Sequence, residues 1–344
     1  MIVAEVREAV RAGRLLDGER PVVAMISGGR DSVCLLDVAV SVLGSGAVSA
    51  LHVNYGLRES AAADECHCAG LCERLGVALS VRHAGSAPGP PGAATFADDD
   101  LQAAAREESG NLQAWARELR YEAARQLAEP GDASIATGHT ASDQVETILY
   151  RLAASPGRRA LLGMAAADGR LIRPLLGVTR EQTAAYCTER GLDWREDESN
   201  DDARFARVRV RRGLVPALRA VHAAAEANVL RTAQLLREET ELLLALVDDE
   251  LGGGSQIAIA RLSELPPALA RMVVVRLAED AAGTYVPQAG ERVGELLALG
   301  ARGGHAELHL GRFAAATIDD GVLGMRRLAQ RETSERLRRP PGAD

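Results

Sequence analysis

Residues Ser27-Gly28-Gly29-Arg30-Asp31-Ser32 are the run in this chain whose types and order best suit chemistry. An apolar stretch, Val22-Val23-Ala24-Met25-Ile26, precedes it, and an amphipathic stretch from Val33 to Val40 follows. That order predicts a buried strand, a tight glycine turn and a helix start, a layout that holds phosphate. The two glycines let the backbone approach an anion, and the unpaired N–H groups of a first helical turn point at it. The helix dipole adds only about 0.3–1 kcal/mol at an exposed site, so the hydroxyls of Ser27 and Ser32 are expected to supplement it. The run lacks the lysine of the G-x-x-x-x-G-K-[ST] loop. An ordinary strand-to-helix turn built on Gly-Gly is the competing reading.

Asp143 and Glu146 lie three apart in a helix expected from about Thr140 to Leu152, so they share a face and could hold a cation or accept a proton. Thr140-x-x-Asp143 also reads as a capping box, and one carboxylate can serve both purposes. His139 sits just after an expected strand, where nucleotide-contacting side chains commonly stand. Arg117 and Arg120 occupy one helix face and could fork onto phosphate or RNA backbone, or pair with Glu118 or Glu122. From Asp201 to Arg219, six arginines (Arg204, Arg207, Arg209, Arg211, Arg212 and Arg219) face two acids, a local charge of +4. That stripe is the best candidate for RNA phosphate contacts, with a solvated arginine-rich helix as the alternative. Cys66-His67-Cys68 with Cys72 does not have a recurring zinc spacing, and positions 66 and 68 point to different helix faces, so these thiols read as core and surface residues.

The elements that must position these residues alternate. Strands are expected at Val22–Ile26, Val48–Val53, Val77–Val81, Ala133–Ala136 and Leu171–Leu176. Helices are expected near 58–75, 112–127, 140–152 and 180–190. The pattern predicts an α/β fold with a doubly wound parallel sheet and a ligand at the carboxyl ends of its strands. Residues 84–109, rich in Pro, Gly, Ala and acids, read as a mobile surface insertion. Helical periodicity from Pro216 to Leu251 predicts a long helix or a helical pair, and Gly252-Gly253-Gly254-Ser255 breaks it. Helices near 267–278 and 288–299 and a hairpin from Glu307 to Arg327 follow. The expected organisation is a loop-bearing domain at 1–213, a helical segment at 214–251, a small α+β domain at 252–330 and a disordered tail at 331–344.

At 344 residues, 47% of them hydrophobic, the chain can build about two packed domains. Its 40 basic residues are all arginine, which removes catalytic lysine from consideration. A net charge of −8 argues against indiscriminate coating of nucleic acid, so any RNA contact must be local. Aromatic residues are only 3%, so readout by shape and phosphate is expected over stacking on many rings. Five cysteines imply no disulfide framework. No signal peptide and no apolar run of about 20 residues is visible, and a cytoplasmic protein without membrane contact is expected.

Taken with four further segments, the loop carries a resemblance. The segments are His52-Val53-Asn54-Tyr55-Gly56-Leu57-Arg58, Gly110 to Tyr121, Thr137-Gly138-His139-Thr140-Ala141-Ser142-Asp143-Gln144-Val145-Glu146-Thr147, and Ile172-Arg173-Pro174-Leu175-Leu176 with Asp197 through Pro216 beyond it. In this order they resemble the tRNA(Ile)-lysidine synthetase family of N-type ATP pyrophosphatases, the PP-loop enzymes, over residues 20–220. The resemblance implies an ATP-dependent ligase. The wobble cytidine of an isoleucine tRNA with a CAU anticodon is adenylated at its 2-oxygen, and L-lysine then displaces AMP. It implies ATP binding by Ser27, Gly28, Gly29, Arg30, Asp31 and Ser32, a Mg²⁺ at Asp31, and catalytic roles for Asp31, Arg117, His139, Asp143 and Glu146. It implies tRNA binding by Arg204, Arg207, Arg209, Arg211 and Arg212, and it is compatible with a homodimer. The chain departs from the family pattern at Tyr55 (commonly histidine), Ser142 (commonly aspartate), Ala154-Ser155-Pro156-Gly157 and Val208 (commonly asparagine). A tRNA thiolase of the same class and a non-catalytic tRNA- or nucleotide-binding protein are the alternatives. The first would need a catalytic cysteine pair or a metal site, and no Cys-x-x-Cys is present.

Overall fold

The computed structural model describes residues 1–56, 61–84, 109–155, 157–195, 206–286, 288–311 and 313–328, with side chains from residue 115 onward in the helix that starts at Ser109. Residues 85–108 of the insertion expected at 84–109, Arg204 and the tail at 331–344 lie outside the described residues. The chain divides into two compact units, Met1–Gln234 and Leu235 onward.

In the first unit the elements run α1 (Ile2–Ala12), β1 (Val22–Met25), α2 (Arg30–Leu43), β2 (Val48–Asn54), α3 (Ala61–Leu75), β3 (Ala78–His83), α4 (Ser109–Ala128), β4 (Ser134–Ala136) and α5 (Ala141–Ala154). After a helical turn at Arg158–Leu161 come β5 (Ala167–Asp168), β6 (Leu171–Ile172), α6 (Arg180–Glu189), α7 (Ala206–Arg209), a π-helical turn at Val210–Leu214, α8 (Val215–Val221) and α9 (Ala225–Leu251). The sheet order is β3-β2-β1-β4-β6-β5, parallel throughout except for the short edge strand β5.

β1 is apolar and buried at every position, as a central strand covered on both faces requires. Its period of two divides those faces. Val22 and Ala24 pack with α1, α2, α3 and α6. Val23 and Met25 pack with Ala123, Ala124 and Ala128 of α4. The sheet order changes direction between β1 and β4, both pairing in parallel from Val22. The loops that leave those two strands therefore diverge and open a crevice, the usual ligand position in such sheets.

One element and one boundary differ from the sequence reading. The fifth expected strand, Leu171–Leu176, ends at Ile172, because Pro174 has no N–H for a ladder; turns closed by Leu176 N–H to the Arg173 carbonyl and Val178 N–H to the Leu175 carbonyl replace it. Of the long helix or helical pair expected from Pro216 to Leu251, the pair forms, with the extended backbone of His222 separating α8 from α9. The division between the units falls inside α9, whereas the composition breaks had suggested 213 and 251. A continuous helix crosses from one unit into the next, and Gly252 ends that helix without ending a unit.

The second unit contains β7 (Gln256–Ala258), α10 (Ile259–Glu264), α11 (Pro267–Ala282), α12 (Val293–Gly300), β8 (Ala306–His309), β9 (Ala314–Asp319) and β10 (Val322–Arg327). Its antiparallel sheet has the order β7-β10-β9-β8 and packs on Val273, Val274 and Leu277 of α11. The β9–β10 hairpin turns at Asp320 and Gly321, both with positive φ, as a two-residue primed turn demands.

Two loops of the first unit meet at van der Waals limits. A Cβ on Gly138, in the loop after β4, would lie 3.0 Å from the backbone C and O of Asp31 and 3.1 Å from Ser32 N. Those atoms are helix backbone and cannot yield cheaply. Gly138→Ala is therefore expected to destabilise the first unit by about 1–3 kcal/mol, read as a lower midpoint in thermal denaturation. An unchanged midpoint would show that the loops can separate freely.

Candidate active site

The loop after β1 is held from within. The Ser32 hydroxyl donates to the Gly29 carbonyl at 2.7 Å and accepts from the Ser27 N–H at 3.1 Å. Gly28 has φ +81, and a Cβ there would meet His67 and Cys68 of α3. The Gly28 carbonyl in turn accepts the Arg195 N–H at 3.0 Å, and Arg195 pairs with Asp64 of α3. Gly29 is the N-cap of α2 and supplies no side-chain cap, so the first-turn N–H groups of Arg30 and Asp31 face outward. This is an anion cradle at a helix N-terminus.

Asp31, in that first turn, accepts the Thr183 hydroxyl at 2.5 Å, with Arg30 Nε at 3.5 Å and Arg180 Nε at 3.7 Å. Burial raises its carboxyl above the ordinary value, although Thr183, Arg30 and Arg180 oppose the rise. Across the crevice, the Thr140 capping box forms at the start of α5. Asp143 Oδ2 accepts the Thr140 N–H and hydroxyl, both at 2.8 Å, while Oδ1 accepts Arg180 Nη2 at 2.7 Å. Cap and ion pair thus occupy different oxygens of one carboxylate. Glu146 is only 3% exposed and takes Arg180 Nη1 at 3.0 Å and Arg211 Nε at 2.7 Å.

One guanidinium therefore faces Asp31, Asp143 and Glu146 at once. Burial would raise the Asp143 carboxyl, but Arg180 and the Thr140 bonds hold it below its ordinary value. Burial would likewise lower the Arg180 guanidinium, and the three carboxylates hold it above. Arg180 and Thr183 were not among the residues singled out from the sequence. A signal existed: Arg180 is the first residue of α6, behind the Thr179–Gln182 capping box, where a cation opposes the helix dipole. Such a residue calls for nearby carboxylates. Ser142, a departure from the family pattern, accepts the Arg180 N–H at 3.1 Å and so anchors the same turn.

His139 Nδ1 lies 2.8 Å from the Thr137 hydroxyl. Burial pushes its pKa down to about 4; Asp143 opposes this, while Arg173, Arg207 and Arg117 add to it, so the imidazole is neutral near pH 7. Arg117 is exposed on α4, its Cζ 4.9 Å from the Tyr121 ring centroid, outside the cluster around Arg180. Of the expected arginine stripe, Arg211 is turned onto Glu146 and Arg207 donates to the Thr147 hydroxyl at 3.0 Å. Arg209 and Arg212 are exposed. Burial raises Cys68 to about 12 and Cys72 to about 11, which keeps both as inert thiols. Among the described residues, no group of three or more His, Cys, Asp or Glu side chains could hold a metal ion. No helix among them is long and apolar enough to cross a membrane.

Fold and loop together define a PP-loop domain, and the model of that family matches residues 3–218. The chain belongs, within that class, to the tRNA(Ile)-lysidine synthase family. It is 35% identical to the tRNA(Ile)-lysidine synthase of Rhodococcus erythropolis over 276 residues, 77% of this chain and 76% of that protein. It is 37% identical to the synthase of Pseudomonas aeruginosa over 231 residues, 64% of this chain and 48% of that one. The chain spans about half the length of the Pseudomonas relatives it matches. Among solved structures, the U34-tRNA thiolase NcsA from Methanococcus maripaludis with its [4Fe-4S] cluster aligns with a TM-score of 0.52 at 15% identity. That alignment covers 69% of this chain and 79% of that one, a likeness of fold.

Removing the shared cation should leave two buried carboxylates short of a partner. Arg180→Gln is expected to cost about 3–5 kcal/mol at pH 7, and the deficit should shrink as pH falls and the carboxylates protonate. Urea midpoints at pH 7 and pH 5 check this; a deficit independent of pH would mean the carboxylates do not depend on Arg180.

His139 gives a second pH dependence. Its folded pKa of about 4 lies below the ordinary 6.5, so the unfolded chain binds the proton more tightly between those values. Stability from this group is full above about pH 6.5 and is lost as pH falls toward 4. His139→Gln should flatten that part of the stability profile, and parallel wild-type and variant profiles would contradict a buried neutral imidazole.

Proposed function

We propose that this chain adenylates the wobble cytidine of an isoleucine tRNA with a CAU anticodon and joins L-lysine to it, forming lysidine. One observation carries this reading: a glycine cradle for phosphate and a carboxylate pair suited to an amine are joined through one arginine, with Asp31 at one end and Asp143 and Glu146 at the other. Family membership supports it, since relatives over this domain are tRNA(Ile)-lysidine synthases.

ATP binds with its phosphates against the first turn of α2. The 2-oxygen of the cytosine attacks the α-phosphorus, and pyrophosphate leaves; the N–H groups of Arg30 and Asp31 offset the charge that builds on the departing oxygens. Asp31 is a single carboxylate beside the cradle, a donor set that fits Mg²⁺ shared with nucleotide phosphates. A bound Mg²⁺ would there neutralise phosphate charge.

The second step needs an amine without its extra proton, and the lysine side chain has a pKa near 10.4. Asp143 and Glu146 hold the ammonium, and one of them takes the proton as the nitrogen attacks C2 and AMP departs. Arg180 and Arg211 already bond these oxygens, so the substrate shares them. Two carboxylates offer about eight acceptor positions, which leaves room for a further donor. His139, neutral and beside Asp143, contributes a hydrogen bond without adding a competing charge. Arg207, Arg209 and Arg212 face the tRNA phosphates, and Arg117 lies on the side of the crevice that receives the RNA strand.

Two variants test the two half-reactions. Asp31→Asn is expected to abolish tRNA-dependent ATP–pyrophosphate exchange while the circular dichroism spectrum is retained. Exchange at the wild-type rate with unchanged Mg²⁺ dependence would remove Asp31 from the nucleotide site. Glu146→Gln keeps the shape and removes one charge, so the lysine KM should rise about ten- to a hundredfold, the value of one charged hydrogen bond. AMP-linked tRNA should then accumulate at limiting lysine. An unchanged KM with no trapped adenylate would confine Glu146 to a structural role.

A further inference from the structure

A second set of side chains, on α4 and the turn after β6, is not used by the cluster around Arg180. Arg173 directly follows β6 and is only 7% exposed. Its Nη1 donates to the Ala165 carbonyl at 2.6 Å, but its Nε is buried without a partner. The Arg120 Nε and the Tyr121 hydroxyl are also buried and unpartnered. Arg117 and Arg120 stand over the Tyr121 ring, with Cζ 4.9 and 5.7 Å from its centroid. Tyr121 and Leu171 of β6 both pack on the core cluster built from β1, β2, β4 and α4, so this part of α4 covers the same face of the sheet as the start of β6. Tyr121 is close enough to act on the charge of Arg173. Burial pushes the Arg173 guanidinium below its ordinary value, with Tyr121 and Asp168 opposing and the charges of Arg117 and Arg151 adding to it.

Buried donors are ordinarily satisfied, and three in one neighbourhood require an acceptor with several oxygens. Two of these donors belong to guanidiniums and Arg117 adds a third, so the acceptor they favour is anionic, and the planar fork of arginine matches a phosphate.

We propose that Arg117, Arg120, Tyr121 and Arg173 form a second oxyanion site that takes a backbone phosphodiester of the RNA strand carrying the reactive base. The proposal rests on the reading that this chain acts on RNA. It separates the site from the nucleotide cradle by topology: the cradle follows β1 and Arg173 follows β6, with β4 between them. At about 4.8 Å per strand that is roughly 10 Å, enough to seat a base between its own backbone phosphate and the α-phosphate of ATP. In a chain of net charge −8, such a local cationic wall lets a polyanion approach the crevice. A contact of this kind fixes the position of the strand and carries no sequence information.

The test measures two ligands on the same proteins. Binding of a fluorescently labelled anticodon stem–loop RNA is followed by anisotropy across a salt series, and ATP binding by calorimetry. Arg173→Gln and, independently, the half-buried Arg120→Gln are compared with wild type after thermal denaturation has confirmed folding. If Arg173→Gln does not fold, Arg173→Lys retains the charge without the fork. The expected result is RNA binding weakened about five- to tenfold, a salt slope lowered by about one, and unchanged ATP affinity. The loss should be equal for a non-cognate stem–loop. Weaker ATP binding with unchanged RNA binding would make these arginines nucleotide ligands and overturn the proposal. Wild-type affinity for both ligands in the folded variants would overturn it as well. If wild type itself binds no RNA, the functional reading fails and this site falls with it. Wild-type binding that the variants retain sinks the phosphodiester site alone.

Discussion

One guanidinium shared by three carboxylates is the constraint on which the rest of the site depends. Asp31, Asp143 and Glu146 would repel one another at these separations, and Glu146 is almost wholly removed from water. Arg180 faces all three, and Arg211 completes the coordination of Glu146. The arrangement also reconciles three helix dipoles. α2, α5 and α6 each direct an N-terminus toward this point, which favours the acids and disfavours Arg180. The carboxylates outweigh that penalty, since an opposed dipole amounts to about a kcal/mol or less while leaving a buried charge unpaired costs several.

The precision of the cluster comes from what packs behind it. Asp37 of α2 is 1% exposed and is bonded by the Tyr186 hydroxyl at 2.5 Å and by Arg190 Nε and Nη2, each at 3.0 Å. Those bonds lock α2 to α6, so the Asp31 and Thr183 side chains keep their register two turns away. On the other side Gly138 presses the loop after β4 against α2 backbone. Neither contact reaches a substrate, yet both fix the distance between the phosphate cradle and the carboxylate pair.

Charge divides the crevice into two halves. Around Arg180 the carboxylates are matched by the cations Arg180 and Arg211. Around Arg173 and His139 the arginines Arg173, Arg207 and Arg117 outnumber the one opposing carboxylate, Asp143, and their charge adds to the burial that holds the imidazole neutral. The proposed reaction, which brings together an amine, a nucleotide and a polyanionic strand, needs both environments within one crevice. His139 lies between the two, its proton affinity lowered first by burial, with Asp143 and the arginines acting in opposite directions.

Much of this was legible in the residues alone. Gly28-Gly29 after an apolar strand specified the turn, Thr140-x-x-Asp143 specified the cap, and the alternation of strands and helices specified a parallel sheet, because each depends on near neighbours in the chain. Asp320-Gly321 fixed its hairpin for the same reason. The end of β6 was legible only in part, since Pro174 marked it and a longer apolar run obscured it. What the tertiary structure decided were pairings across 34 to 152 positions: Arg180 with Glu146, Asp143 and Asp31, Arg211 with Glu146, Thr183 with Asp31. An arginine in a charged stripe looks the same in sequence whether it faces water, RNA or a buried carboxylate. Only the meeting of the first turns of α5 and α6 and the packing of α5 against the helical turns after Ala206 distinguishes them, because burial makes the choice of partner energetically decisive.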